Sequence, residues 1–415
     1  MSLRAYSFLA GLAALVASPA AAQSTVATGT WSAGGDVRLT AADGERSWLD
    51  GGLGKLGSER GVNATLGRAD LSWQPRFGWD LSGVVVGTLQ GGPGRITGGI
   101  SQAYLAIKPL QGGRLRWSGR LGLLWPPVSL EHGGADWHVT DTITPSAINS
   151  WIGEEVRPAA VEASLTATLG EHRLVVSGAA IAANDTAGAL LTYRGWALHD
   201  RVTLAGRAQP LAILSEEIEA AQPHFTHPLL DVKPGFARRP GYYGRLGWSP
   251  PLPFHLELFH YDNRGDPEAV NADLEWGWRT RFTNLGAVVD LAPATRLKVQ
   301  ALTGRTRMGL VEDGRIWIDN RFRSAFALLV HDLPRGGVAA RVEAFGTRNR
   351  GRYIDDEYDE RGWAATLAGH RELTPATSLW LEAIHIASRR EQREDIGLEP
   401  SQSQDQLQAS LRFRW

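Results

Sequence analysis

The chain has 415 residues and a formal net charge of −1, from 43 Lys and Arg against 44 Asp and Glu. That balance excludes a global charge drive toward nucleic acid, and none is expected as a partner. Cys is absent, which excludes a disulfide framework, thiolate metal sites and thiol nucleophiles.

The first residues read as an export signal. Arg4 gives a short positive region, Ala5 to Ala17 is apolar and small, and Pro19-Ala20-Ala21-Ala22 supplies an A-x-A cleavage site before Gln23. Residues 1–22 are therefore expected to be removed, leaving a mature chain over 23–415. No later stretch approaches the 18 to 20 or so uninterrupted apolar residues of a membrane helix. Gly (48) and Trp (16) are plentiful and Met is scarce (2), which suits a twisted barrel with interfacial girdles better than a helical core. The basic residues are nearly all Arg, since Lys stands only at positions 55, 108, 233 and 298.

Alternation decides the class. Side chains along a strand point to opposite faces in turn. Arg114, Arg116 and Arg120 interleave with Leu115, Trp117 and Leu121; Arg201, Thr203 and Arg207 with Val202, Leu204 and Gly206. Arg296, Lys298 and Gln300 alternate with Leu297, Val299 and Ala301, and Arg341 and Glu343 with Ala340, Val342 and Ala344. A charge facing lipid costs about 2 to 4 kcal/mol near the bilayer midplane, so the charged member of each pair is expected in a lumen. The expected pore-lining set is Arg114, Arg116, Arg120, Arg201, Arg207, Arg245, Arg279, Arg281, Arg296, Lys298, Arg341 and Glu343. Around Arg279 to Leu291 the phase slips, and near Trp380 to Ile386 both faces are apolar.

Short turns such as Gly170-Glu171-His172, Leu198-His199-Asp200 and Ala292-Pro293-Ala294-Thr295 alternate with longer connections at 41–61, 90–98, 125–158, 184–187, 209–240, 263–275, 307–320, 348–361 and 389–403. Short periplasmic turns and long extracellular loops give an all-β, transmembrane antiparallel β-barrel of about 18 strands. Sixteen is the alternative count, because 184–198 is weakly patterned.

Gly52-Leu53-Gly54-Lys55-Leu56-Gly57 matches G-x-G-x-x-G, but it lies outside any βαβ unit and reads as a solvated surface loop. The 125–158 connection is too apolar for such a loop. Ile148, Trp151 and Ile152 call for burial, and the barrel interior is the nearest place, so the segment is expected to fold inward and narrow the channel. Its candidate constriction residues are Glu131, His132, Asp136, His138, Glu154 and Glu155. A structured outer cap is the alternative. The histidine and carboxylate spacing follows no metal-ligand pattern, so no metal is expected. Glu216, Glu217 and Glu219 form a second candidate constriction, and the Asp355, Asp356, Glu357, Asp359 and Glu360 cluster reads as an outer loop tip. No G-x-S-x-G or H-E-x-x-H occurs; neither enzyme activity nor a cofactor is expected.

The last segment, Leu407 to Trp415, alternates without fault and ends on an aromatic. It resembles the terminal signal read by the barrel-assembly machinery. With the export signal, the long-loop hairpins, Arg279, Arg281 and Arg296, and terminal Phe413-Arg414-Trp415, the chain resembles the porin group, loosely the phosphate-selective porin O and P type. The resemblance implies an outer-membrane channel of a Gram-negative bacterium that passes small hydrophilic solutes, here with a mild anion preference. Outer-membrane lipid, lipopolysaccharide and the assembly machinery are the implied partners, and a homotrimer is left open. A non-conducting envelope or polysaccharide-binding barrel, and a barrel enzyme, are the alternatives.

Overall fold

A computed structural model describes residues 28–92, 94–109, 111–181, 185–212, 221–228, 240–352 and 358–415. The expected export signal, Glu216, Glu217 and Glu219, and Asp355, Asp356 and Glu357 lie outside these residues. No helix among the described residues is long and apolar enough to cross a membrane.

The chain forms a closed antiparallel barrel. It opens with β1 (Thr28–Ala42), β2 (Gly61–Arg76), β3 (Leu81–Gly92) and β4 (Arg95–Ile107). Then come β5 (Leu115–Leu123), β6 (Ala159–Leu169), β7 (His172–Ile181) and β8 (Gly241–Ser249). The next four are β9 (Phe254–Asp262), β10 (Arg279–Ala292), β11 (Thr295–Glu312) and β12 (Arg315–Leu333). The last are β13 (Gly336–Asn349), β14 (Glu360–Thr374), β15 (Thr377–Arg390) and β16 (Ser401–Arg414). Closure comes from β1 pairing with β16, from Gly34 opposite Arg414 to Ala42 opposite Gln406, which removes both sheet edges.

Sixteen strands close the wall, the lower of the two expected counts. The hairpin expected around 184–207 is absent because β7 pairs directly with β8, Ile181 opposite Gly241. Residues Ala187–Arg194 form a helix, α2. The alternation of Arg201, Val202, Thr203 and Leu204 arises differently: Val202 and Leu204 pack on Trp125 inside the barrel. Leu198-His199-Asp200 is thus no periplasmic turn. Two other expected long loops are tight hairpins. At 307–320 the strands continue to Glu312 and Arg315, joined by Asp313 and Gly314 with φ of 49° and 75°, the positive values of a type I′ turn. At 90–98, Gly92 pairs with Arg95.

Outside, the wall is apolar. Leu71, Leu121, Leu258, Leu285, Val342, Leu367 and Leu407 are exposed, and Trp31, Trp79, Trp117, Phe413 and Trp415 ring the short-turn end, as interfacial aromatics do. That end is periplasmic in barrels of this kind.

Inside, the barrel is filled on one side. A core of Trp151, Trp196, Tyr243, Phe259, Tyr261, Phe282, Phe322, Phe345, Ile384 and Ile386 joins wall strands to the segments folded between them. This explains why Trp380 to Ile386 carries apolar residues on both faces: Trp380, Ile384 and Ile386 are buried, while Leu379 and Leu381 are exposed. Each large side chain so buried contributes about 1.5 to 3 kcal/mol.

Candidate functional site

Among the described residues, three connections enter the lumen. Between Leu124 and Pro158 the chain carries a short helix, α1 (Ala147–Ile152), capped by the Ser146 hydroxyl, which accepts from Asn149 N–H. Trp151 on α1 sits edge-on to Phe282 at 5.3 Å and to Phe322 at 4.9 Å. Its indole N–H donates to the Ala187 carbonyl at 2.8 Å, which ties α1 to α2. Helix α2 lies close on the wall: a Cβ on Gly188 would overlap the Thr306 hydroxyl, so the contact requires glycine there.

Residues 43–60 supply the third inward connection, and here the expected solvated loop is corrected. Lys55 is buried, pairs with Glu360 and donates to the Arg194 carbonyl at 2.9 Å. Leu53 and Leu56 are buried beside it. Glycine at 52 answers a tight fold, since a Cβ would overlap the Arg46 carbonyl oxygen.

Buried ion pairs pin these segments to the wall. The Glu131 carboxylate accepts from Arg341 at 2.9 Å, from the Ser146 hydroxyl and N–H, and from the Asn149 amide. Glu343 accepts from Ala147 N–H at 2.6 Å, and Glu382 from Ile143 N–H at 2.7 Å. Lys298 and Arg296 hold Asp141 at 2.6 and 2.7 Å. Burial by itself would raise the Asp141 pKa; these two cations hold it below the usual carboxylate range. Glu155 is clamped by Arg194 through two bonds of 2.6 and 2.9 Å, with His199 at 3.1 Å.

The remaining expected constriction residues are paired as well. His132 lies 2.8 Å from Glu154 and 2.7 Å from the Ser129 hydroxyl. Burial pushes the His132 pKa down to about 3, so its imidazole is neutral at pH 7, and pushes the Glu154 carboxyl well up. His138 lies 2.7 Å from Asp136. These groups do not converge on one point, and no metal-ligating cluster of three occurs among the described residues.

The expected lining residues divide by position. Arg120 pairs with Glu162 through two bonds of 2.7 Å, and Arg245 pairs with Glu257; both face inward. Arg114 and Arg116 stand exposed at the short-turn end of β5. Arg296, Lys298, Arg341 and Glu343 face inward and are taken up by the contacts just described. Arg201 is inside the lumen but on the folded-in segment rather than a strand, and Arg207 donates to the Gly98 carbonyl from its outer end. Arg279 and Arg281 are corrected outright. Thr280, Phe282 and Asn284 are the buried members of β10, so the two arginines share the outer face with exposed Leu285.

Open space lies on the opposite side of the lumen, along β1, β2 and β16. A recess of about 430 Å³ is bordered by Arg38, Thr40, Asn63, Thr144, Asp200, Arg201 and Gln408. Beneath it a narrow space of about 40 Å³ is bordered by Asp36, Arg38, Arg68, Glu154, Asp200 and Arg412. Arg38 and Asp200 border both. Arg38 is bonded to Asp200 and to Asp36. Burial would raise the Asp200 pKa, but the Arg38 charge and hydrogen bond hold it well below the usual range. Arg201, although burial lowers it to about 10, is charged at pH 7. Arg412 stacks on Trp380 at 3.9 Å and donates to the Thr142 carbonyl. Facing the two spaces are Arg38, Arg68, Arg95, Arg201, Arg412 and Arg414 against Asp36, Glu59, Glu154 and Asp200, with Arg68 also paired to Asp70 at 2.7 Å. Sequence reasoning missed Arg38 and Asp200; the alternation of Asp36 and Arg38 with Val37 and Leu39 on β1 was the available signal.

No family model matches the chain, and no curated protein matches it in sequence. Solved structures do. The outer membrane channel DcaP of Acinetobacter baumannii superimposes with a TM-score of 0.60 at 11% identity, over 95% of this chain and 100% of that one. An anion-selective porin from Comamonas acidovorans gives 0.49 at 12% identity, over 94% and 100%.

Proposed function

We propose, from the closed barrel with its apolar outer wall and from its likeness in fold to the DcaP channel, that the chain is an outer-membrane β-barrel of porin-like fold. From this premise we propose that it is a passive channel for small hydrophilic solutes with a mild preference for anions. The observation that carries this reading is the cationic excess around the Arg38–Asp200 constriction. Arginines fixed on a low-dielectric wall raise the local concentration of anions. Space is limited, so the solutes are small: among the described residues the apolar core that anchors Trp151 leaves open space beside β1, β2 and β16. The expected lining residues Arg120 and Arg245 belong to this proposal as groups whose charge is offset by a neighbouring carboxylate.

Anion selectivity is a property of the Comamonas acidovorans porin; for this chain it is part of the proposal, and assembly as a homotrimer is proposed with it. Solute uptake by proteoliposomes tests the reading. Small anionic solutes are expected to enter faster than neutral sugars of equal size, and no uptake above protein-free liposomes would refute it. A second reading, a closed envelope barrel, draws on the mere 40 Å³ at the constriction; the same uptake experiment separates the two.

A further inference from the structure

The two arginines displaced from the lumen belong to a larger array. On the outer face of six consecutive strands stand Arg279 and Arg281 (β10), Arg305 and Arg307 (β11), Arg321 and Arg323 (β12), Arg348 (β13), Arg361 (β14) and Arg389 (β15). The inward residues of the same strands are buried: Thr306, Phe322, Phe345, Ala364 and Ser388 among them. Register places these arginines side by side. Arg281 is opposite Arg305, Arg305 opposite Arg321, and Arg321 opposite Arg348. One row away, Arg323 is opposite Gly346, Gly346 opposite Arg361, and Arg361 opposite Arg389.

Like charges directly opposite one another in a sheet are destabilising. Some relief comes from carboxylates: Asp262 pairs with Arg279 at 3.0 Å, Asp319 with Arg305, and Glu391 with Arg389 at 2.6 Å. Among the described residues none pairs with Arg281, Arg307, Arg321, Arg323, Arg348 or Arg361. An anion bound against these six arginines would relieve the repulsion.

Depth identifies the anion. Ten residues separate Arg281 from Leu291, an exposed apolar residue at the short-turn end. At about 3.3 Å per residue and a tilt of about 40°, that is roughly 25 Å along the membrane normal, the height of the apolar band. The arginines stand at the headgroups of the outer leaflet. Across the barrel the same level is apolar, with Val62 and Ile96 exposed, so the belt is not a general feature of the rim. Gly346 puts no side chain between Arg323 and Arg361 and borders a recess of about 310 Å³; an adjoining recess of about 480 Å³ shares Thr347, Arg348, Arg350, Glu360 and Arg361 with it and is also bordered by Asp359, Arg389 and Glu391. Arginines that outnumber the carboxylates bordering these recesses suit phosphate oxygens, which guanidinium groups grip through paired N–H donors.

We infer that the outer face of β10 to β15 is a binding site for the phosphate groups of the glycolipid that forms the outer leaflet, centred on Gly346 between Arg323, Arg348 and Arg361. The site lies outside the barrel and does not depend on whether the lumen conducts.

The test uses the full chain folded in the outer membrane and purified in mild detergent. Native mass spectrometry titrates it with bisphosphorylated lipid A, with dephosphorylated lipid A and with inorganic phosphate. Wild type is expected to bind the bisphosphorylated form and to prefer it over the dephosphorylated form by at least about tenfold. The R323Q/R348Q/R361Q triple variant is expected to lose that preference, and the corresponding triple lysine variant to keep part of it. Folding of both is checked by heat-dependent migration in detergent gels. Equal binding of the two lipid forms by wild type would overturn the inference. Two other results would do the same: an unchanged preference in the glutamine variant, or binding of inorganic phosphate that competes the lipid away at equal concentration. A glutamine variant that keeps the preference while changing oligomeric state would overturn it in favour of a contact between copies. If that variant does not fold, R323Q alone is expected to reduce the preference several-fold.

Discussion

The Arg38 guanidinium on the first strand is bonded to the Asp200 carboxylate, 162 positions later, on a segment folded in from the β7–β8 connection. This contact stands where the wider recess narrows. It places a fixed cation and a fixed anion at the tightest point, with Asp36 shared on the wall side.

Removing the acidic partner should sharpen anion preference. The D200N variant keeps the side-chain volume but leaves Arg38 with Asp36 alone. Its anion-to-cation permeability ratio is expected to rise several-fold, and that of R38Q to fall. Reversal potentials in a salt gradient measure both. Asp200 is held ionised well below the usual carboxylate range, so wild type should show no change from this contact between pH 7 and about pH 4.

Trp151 anchors the insert. Its truncation to Ala removes contacts with Phe282, Phe322 and Trp196 and is expected to cost about 3 to 5 kcal/mol. Strand pairing does not involve Trp151, so W151A should still assemble and migrate as a folded barrel. Its insert should loosen, giving larger and noisier conductance. A single-channel record indistinguishable from wild type would contradict this.

Arg341 and Glu131 are both fully buried. Removing one partner strands the other's charge in the interior, at about 3 to 5 kcal/mol. E131A and R341A should each lower the thermal midpoint in detergent, R341A the more because Arg341 also pairs with buried Glu343 at 2.9 Å, whereas E131Q/R341M/E343Q should recover much of the loss. Equal loss in all three would show that the pair's charge is irrelevant.

Acid should weaken the insert through His132. Its folded pKa of about 3 lies below the ordinary 6.5, so the unfolded segment binds a proton that the folded one rejects. Stability is full above pH 6.5 and is lost as pH falls through 6.5 toward 3, by at most about 1.4 kcal/mol per pH unit. Glu154, raised by burial, acts in the opposite sense, because the folded state gains its proton as pH falls. The E154Q variant isolates the histidine: its thermal midpoint is expected to drop between pH 7 and pH 4, and E154Q/H132Q should flatten the curve.

The barrel was legible because its wall obeys local rules. Leu407 to Trp415 alternates by residue, and closure against β1 follows from the need to bury the last edge. Trp151 was legible as a residue that cannot remain in water. Other features fail for stated reasons. Arg279 and Arg281 were assigned to the lumen on the midplane cost of a charge, but near the interface that cost falls to about 0 to 1 kcal/mol, so the outer face tolerates them. Arg201 to Leu204 alternates like a strand because Val202 and Leu204 pack on Trp125 while Arg201 borders the recess and the Thr203 carbonyl accepts from Arg157. The Arg38–Asp200 contact depends on how the 182–240 connection folds, which no local pattern encodes.

The central claim is that an aqueous path beside β1, β2 and β16 conducts under the control of fixed arginines. The reversal potential of the wild-type protein in a planar bilayer, under a potassium chloride gradient, tests it most directly. Channel steps are expected, with a reversal potential displaced toward that of chloride. A membrane that never conducts, or a potential displaced toward that of potassium, would contradict it.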